Sequence, residues 1–232
     1  MSNLSIFDIA GPIMVGPSSS HTAGACKIGQ FARALFHRTP KKVTFYLHGS
    51  FGEVYKGHAT DLALLAGVMK FRTSDPRIKD SFEIAKEKNV KYEFIVKQLG
   101  EKYHPNTVQV ILEDGKHKMS VIGSSIGGGM IEIVKINNCD VSLKGTAGKY
   151  LSLVVAHDRN PKIIPKLAEQ IKKLGINVTD IEESAYKEKG KEEIISVLSL
   201  EGSHRITLPE VVELEKNKGI DFIRSLSKLQ TQ

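Results

Sequence analysis

The chain has 232 residues, 41% of them hydrophobic and 25% charged, with a formal net charge of +7. That length allows one large or two small domains, and the composition is that of an ordinary globular protein. No apolar run approaches the roughly 20 residues that span a bilayer, so no membrane role is expected. The positive charge is spread along the chain as lysines mixed with glutamates. It reads as solvated surface and not as the footprint of a nucleic acid. The two cysteines, Cys26 and Cys139, lie far apart and in no CxxC pattern. They are expected to be buried free thiols in a reducing cytoplasm. The N-terminus, MSNLSIFDIAG, lacks a basic segment followed by a long apolar core, so no signal peptide is expected.

Leu4 to Ile9 reads as one or two helical turns. The stretch Val15-Gly16-Pro17-Ser18-Ser19-Ser20-His21-Thr22-Ala23-Gly24 follows, and Gly and Pro mark it as a loop. Ala23 to Arg38 is predicted helical, because Ala25, Ile28, Ala32, Leu35 and Phe36 recur near a period of 3.6. Ser20 or Thr22 is the expected cap. Hydroxyls at a helix N-terminus suit a carboxylate or phosphate. The stretch is therefore a candidate anion-binding loop with a titratable histidine inside it. The plainer alternative is a Ser/Thr cap after a Gly-Pro turn.

Lys42 to Leu47 alternates polar and apolar residues and is predicted as a strand. It leads into the polar loop His48-Gly49-Ser50 and then Tyr55-Lys56-Gly57-His58-Ala59-Thr60-Asp61. Leu62 to Phe71 and Ile78 to Asn89 read as helices, and Tyr92 to Val96 as a strand or connector. Thr107 to Leu112 and Lys118 to Ile122 form a hairpin on Asp114-Gly115. Gly123 to Gly129, ending in three glycines, reads as a bulge or turn. Met130 to Ile136 after it is a strand, so the glycines are no dinucleotide fingerprint. Val141 to Leu143 is a short strand, and Gly145 to Gly148 a linker.

The pattern then changes. Tyr150 to Ala156 is a strand, Pro161 to Lys173 an amphipathic helix, and Asn177 to Tyr186 and Ile194 to Leu200 are strands. Leu208 to Lys218 is a helix opened by the capping box of Thr207 and Glu210, and Ile220 to Leu226 closes as a strand. This β-α-β-β-α-β order predicts two helices on one face of an antiparallel sheet. The fold class is α/β in the α+β sense, with domains at 1–147 and 148–232.

The segments FDIAGPIMVGPSSSHTAG, HGS, KGHATD and SIGGGMIEI resemble, in order and spacing, the β subunit of iron–sulfur-dependent L-serine dehydratases. The last 85 or so residues resemble an ACT domain, a small regulatory module. The resemblance implies an N-terminal domain like the allosteric substrate-binding domain of phosphoglycerate dehydrogenases. It implies the conversion of L-serine to pyruvate and ammonia. It also implies a [4Fe–4S] cluster, which needs cysteine thiolates. With only Cys26 and Cys139 here, the cluster is expected on a separate α chain, making this chain one half of a heteromer.

In that reaction an iron with an open position binds the hydroxyl as a Lewis acid, and a base removes the α-proton. By resemblance His58 and His21 reach the shared active site. His58 is preferred as the base because histidine titrates near neutrality, with Asp61 following to orient its ring. Ser18, Ser19, Ser20, Thr22, Ser50 and Lys56 are the candidates for substrate contact. His104, His117, His157 and His204 are assigned to surface or turns. In the ACT-like region an amino-acid effector is expected near Asp158, Asn160 and Lys162, with Lys162 where the family usually has Gly. That region, the β-type domain, or both are expected to pair subunits as a homodimer. The competing reading is a stand-alone amino-acid-binding regulatory protein, which needs carboxylate and amine contacts but no base.

Overall fold

The computed structural model describes residues 13–145, 151–188 and 191–226. The expected helical turns at Leu4 to Ile9 and most of the Gly145 to Gly148 linker lie outside the described residues. By its contacts the chain divides into two compact units, Met1–Asn137 with Ser142–Gly145, and Asn138–Val141 with Thr146–Gln232.

The first unit is built on a six-stranded sheet. Its strands are β1 (Lys42–His48), β2 (Lys91–Val96), β3 (Thr107–Glu113), β4 (Lys118–Gly127), β5 (Met130–Ile136) and β6 (Cys139–Gly145), in the order β2-β1-β3-β4-β5-β6. β1 and β2 pair in parallel, joined by a helical crossover, while β1 with β3, β3 with β4 and β4 with β5 pair antiparallel. Alternation along the strands puts Phe45, Leu47, Val110, Leu112, Val121 and Ile133 on one buried face. Helix α1 (Ala25–Phe36) lies against that face, with Ile28 over Gly123.

Two further helices set the site. The short α2 (Ser50–Val54) follows β1 directly, and α3 (Thr60–Val68) crosses α1. At this crossing Gly29 and Gly67 face the other helix's backbone. A Cβ on Gly67 would collide with the Cys26 carbonyl, and one on Gly29 with the Leu64 carbonyl. Both faces of α3 are apolar and buried, as expected of a helix enclosed by its neighbours.

Several boundaries differ from the sequence reading, each for a local reason. Neither Ser20 nor Thr22 caps the first helix. Its N-cap is Gly24, with no side-chain bond, and Ser18 instead caps the π-helical turn Ser19–Gly24 ahead of α1, its Oγ accepting the His21 N–H at 3.1 Å. The Ser18 carbonyl is shared by the N–H groups of Thr22 at 2.9 Å and Ala23 at 3.4 Å. Helix α1 stops at Phe36 because His37 takes the left-handed conformation, φ 58°, and returns its N–H to the Arg33 carbonyl. The Ile78 to Asn89 helix is split into a 3-10 turn, Pro76–Asp80, and α4 (Ser81–Glu87). Asp75 starts the 3-10 turn by accepting the Arg77 N–H. The Gly-rich stretch is strand as far as Gly127, and the turn is confined to the glycines at φ 106°, 60° and 76°. The strand continues because Ser124 hydrogen-bonds Thr107 across β3 at 2.7 Å.

The second unit holds β7 (Leu151–His157), α5 (Ile163–Lys173), β8 (Ile176–Glu188), β9 (Lys191–Gly202), α6 (Leu208–Glu215) and β10 (Ile220–Ser225). Its sheet runs β10-β7-β9-β8, every pair antiparallel. Ile163, Leu167 and Ile171 from α5 and Val211 and Leu214 from α6 join Leu153, Val155, Leu198 and Ile223 in one core, so both helices cover the same face. The capping box of Thr207 and Glu210 is formed at the start of α6.

The helix crossing is the tightest test of this packing. Gly67→Ala is expected to lower stability by about 1–3 kcal/mol through overpacking. The urea midpoint should fall with an unchanged slope; an unchanged midpoint would show that the two backbones are not in contact.

Candidate active site

The two polar loops singled out by sequence meet in the first unit. The π-helical turn carries His21 to the start of α2, where its Nε2 lies 3.1 Å from Ser50 Oγ. The His21 and His58 rings are 4.9 Å apart between centroids, tilted at 58°. Phe51 stands edge-on to His21 at 5.4 Å. Thr22 Oγ1 donates to the His58 carbonyl at 3.1 Å, and the His58 N–H returns to the Val54 carbonyl at 3.2 Å. The turn and the 50–58 segment are thereby tied together through both backbone and side chains.

Burial is graded across the site. Thr22 and Thr60 are buried, while Ser18, Ser19, Ser20, His21, Ser50 and His58 are half-buried and Lys56 is exposed. Lys56 sits with its ammonium 5.8 Å from the Tyr55 ring, outside the histidine pair. Asp61 does not orient His58. Its Oδ1 accepts the Leu62 N–H at 2.8 Å at the head of α3, and His58 Nδ1 is buried with no hydrogen-bond partner. Burial holds the Asp61 carboxyl above its ordinary range, against the pull of the Leu62 N–H and of Lys56. Thr22 serves as a tether, and Ser18 as the cap of the turn, so the hydroxyls of Ser19 and Ser20 are the ones in this run without a bond to the fold among the described residues.

Sequence reasoning missed three neighbours. Phe51 walls His21. Thr60 Oγ1 is buried without a partner beside His58. Ser125, at the end of β4, presses its hydroxyl, also buried and unpartnered, against Gly24. Gly24 has no Cβ, and one placed there would collide with that hydroxyl. Ser125 opens the SIGGG stretch, which was the available signal.

The other predicted positions are placed as follows. His104, His117 and His204 are exposed. His157 is a correction: it is 5% exposed, its Nδ1 donating to the Asp158 carbonyl at 2.8 Å and its Nε2 2.9 Å from Ser196 Oγ. It is inward because it shares a strand face with Leu153 and Val155. Asp158, Asn160 and Lys162 lie on an exposed loop in which Asn160 Oδ1 accepts the Lys162 N–H at 3.0 Å.

The chain's own donors do not fit an iron–sulfur cluster. Cys26 and Cys139 are buried and form no disulfide. Burial pushes the Cys26 thiol up to about 12, and it donates to the Phe71 carbonyl. Among the described residues no group of three His, Cys, Asp or Glu side chains is placed to hold a metal ion.

Fold and site together describe an α/β chain that presents a histidine pair beside a hydroxyl-rich turn. A family model described as "Serine dehydratase beta chain" matches residues 5–135. The chain is 38% identical over 221 residues to the "Probable L-serine dehydratase, beta chain" of Bacillus subtilis (strain 168), covering 91% of this chain and 97% of that one. It is 48% identical over 147 residues to the "L-serine dehydratase, beta chain" of Peptoniphilus asaccharolyticus, covering 62% of this chain and 66% of that one. Over 70 residues it is 43% identical to "L-serine dehydratase 2" of Escherichia coli (strain K12), of which it covers 15%. The chain belongs to the serine dehydratase beta chain family. No helix among its described residues is long and apolar enough to cross a membrane.

His21 is held below its ordinary pKa, first by burial and then by the neighbouring His58 charge. The unfolded chain therefore binds this proton more readily than the folded one. The contribution to stability is present above about pH 6.5 and is lost as pH falls through the folded pKa. An NMR titration of His21 should give a midpoint under 6.5 that rises in His58→Gln. A midpoint at or above 6.5 would contradict the packed pair.

Proposed function

We propose that this chain is the β subunit of a heteromeric L-serine dehydratase, contributing substrate-binding and acid/base residues to an active site shared with an α chain that ligates the [4Fe–4S] cluster. The observation that carries this reading is the histidine pair: two imidazoles 4.9 Å apart, beside Ser50 and the 18–22 hydroxyls, in a chain whose family is serine dehydratase beta chain. A protein that only bound an amino acid would need carboxylate and amine contacts, not two adjacent titratable rings.

The residues divide the work by position. The serine carboxylate sits at the π-helical turn, where Ser19 and Ser20 donate hydrogen bonds and Lys56 at the rim contributes positive charge. His58 takes the α-proton. His21 is the weaker candidate for that role because its Nε2 is engaged by Ser50, and it contacts the substrate carboxylate or hydroxyl instead. Burial and then the His58 charge lower the His21 pKa, which favours a hydrogen-bonding role for it over a charged one. Departure of the hydroxyl is the share of the partner chain's cluster, since two cysteines here are too few to ligate one. The second unit is read as an ACT domain spanning 148–232 behind a β-type domain spanning 1–147. Its 158–162 loop is the candidate effector site, and pairing through either domain would make a homodimer of β chains. The surroundings are taken to be the cytoplasm.

The test is anaerobic reconstitution with the candidate α chain, iron and sulfide, assayed by pyruvate formation from L-serine. Activity is expected only in the mixture. His58→Ala should lower kcat by about 10²–10⁴-fold, the usual worth of a general base, and His21→Ala should act mainly on KM. Wild-type rates in His58→Ala with none in His21→Ala would reverse the two roles. Inactivity of the mixture, with serine still bound by this chain in calorimetry, would favour the regulatory protein.

A further inference from the structure

Buried side-chain polar atoms in folded proteins almost always have a hydrogen-bond partner, and each exception calls for an explanation. Among the described residues four such atoms have none: Arg33 Nη1, His58 Nδ1, Thr60 Oγ1 and Ser125 Oγ. Three of the four lie around one feature, the seat of the histidine-bearing turn. His58 and Thr60 are two residues apart, at the entry to α3. Ser125 abuts Gly24 at the other end of the turn, three residues beyond His21. Thr60 and Ser125 are both fully buried.

Leaving such groups unbonded costs about 1–3 kcal/mol each. A fold under no other demand would bury Val and Ala in these places. Other hydroxyls nearby do find partners: Thr22 bonds the His58 carbonyl, and Ser124, next to Ser125, bonds Thr107. Apart from Arg33 Nη1, the deficit among the described residues falls on two hydroxyls and one imidazole nitrogen in the segments next to the turn.

We propose that Thr60 and Ser125 are substrate-contacting residues, whose buried hydroxyls are satisfied only when the polar groups of a small hydroxy-amino acid enter beside His21 and His58. This rests on the serine dehydratase reading of the site and adds two contacts to it. Thr60 follows His58 by two residues and Ser125 abuts Gly24, so the two hydroxyls would offer the ligand separate contacts.

The variants Ser125→Ala and Thr60→Val test this with two readouts that a structural role would move differently. Thermal unfolding of the free chain should show a Tm equal to or above wild type, because each substitution removes an unsatisfied group. In the reconstituted complex KM for L-serine should rise about tenfold per variant, the loss of one ligand hydrogen bond, and Thr60→Ser should restore it. A Tm lowered by several degrees would overturn the proposal, since it would mean the hydroxyls support the free fold. So would a KM within twofold of wild type in a complex that turns over serine. A wild-type complex that neither binds nor turns over serine would instead remove the underlying reading and the proposal with it.

Discussion

The site depends on how a short turn is fastened to the segment opposite. Residues 19–24 form a π-helical turn capped by Ser18. Their position is set from outside, by His21 on Ser50, Thr22 on the His58 carbonyl, and Gly24 against Ser125. Each contact comes from a different element of the first unit, α2, the approach to α3, and β4. Those elements are in turn located by the crossing of α1 and α3 at Gly29 and Gly67. The histidine pair is therefore a product of the tertiary fold, although both histidines sit in short local motifs.

That fastening explains the chemistry available. Two imidazoles in van der Waals range, one of them backed by Phe51, are partly stripped of water. Burial and then the neighbouring His58 charge disfavour a proton on His21. An imidazole in its neutral form can accept a proton from carbon or share hydrogen bonds with a bound carboxylate or hydroxyl. The Cys26 thiol is buried and its pKa raised, and among the described residues no group of three His, Cys, Asp or Glu side chains is placed to hold a metal ion.

Much of the fold was legible in the sequence because periodicity and turn chemistry agree there. The Asp114-Gly115 hairpin, the strand at 130–136, the capping box at Thr207 and the β-α-β-β-α-β order of the second unit all follow from local signals. What was not legible depended on distant contacts. That neither Ser20 nor Thr22 caps α1 reflects the π-helical turn capped by Ser18, which no period announces. The strand continues to Gly127 because Ser124 finds Thr107 seventeen residues away. His157 read as a surface residue because a lone histidine before a polar loop usually is one, and its burial follows from Ser196 on the neighbouring strand. At the candidate site, His21, His58 and Ser50 stood out by their motifs, and the fold brings them together. Asp61 was given the wrong task, since proximity in sequence cannot show that a carboxylate turns to its own helix end. Thr60 and Ser125 escaped notice because an unsatisfied hydroxyl can be recognised only in three dimensions.

The central claim is that His21 and His58 together face the substrate. It is tested most directly by acylating histidines with diethyl pyrocarbonate in the reconstituted complex, with and without L-serine, and locating the modified residues by mass spectrometry. The account predicts that serine protects His21 and His58 together and leaves the exposed His104 and His117 unchanged. Protection of neither histidine in a complex that turns over serine would contradict it.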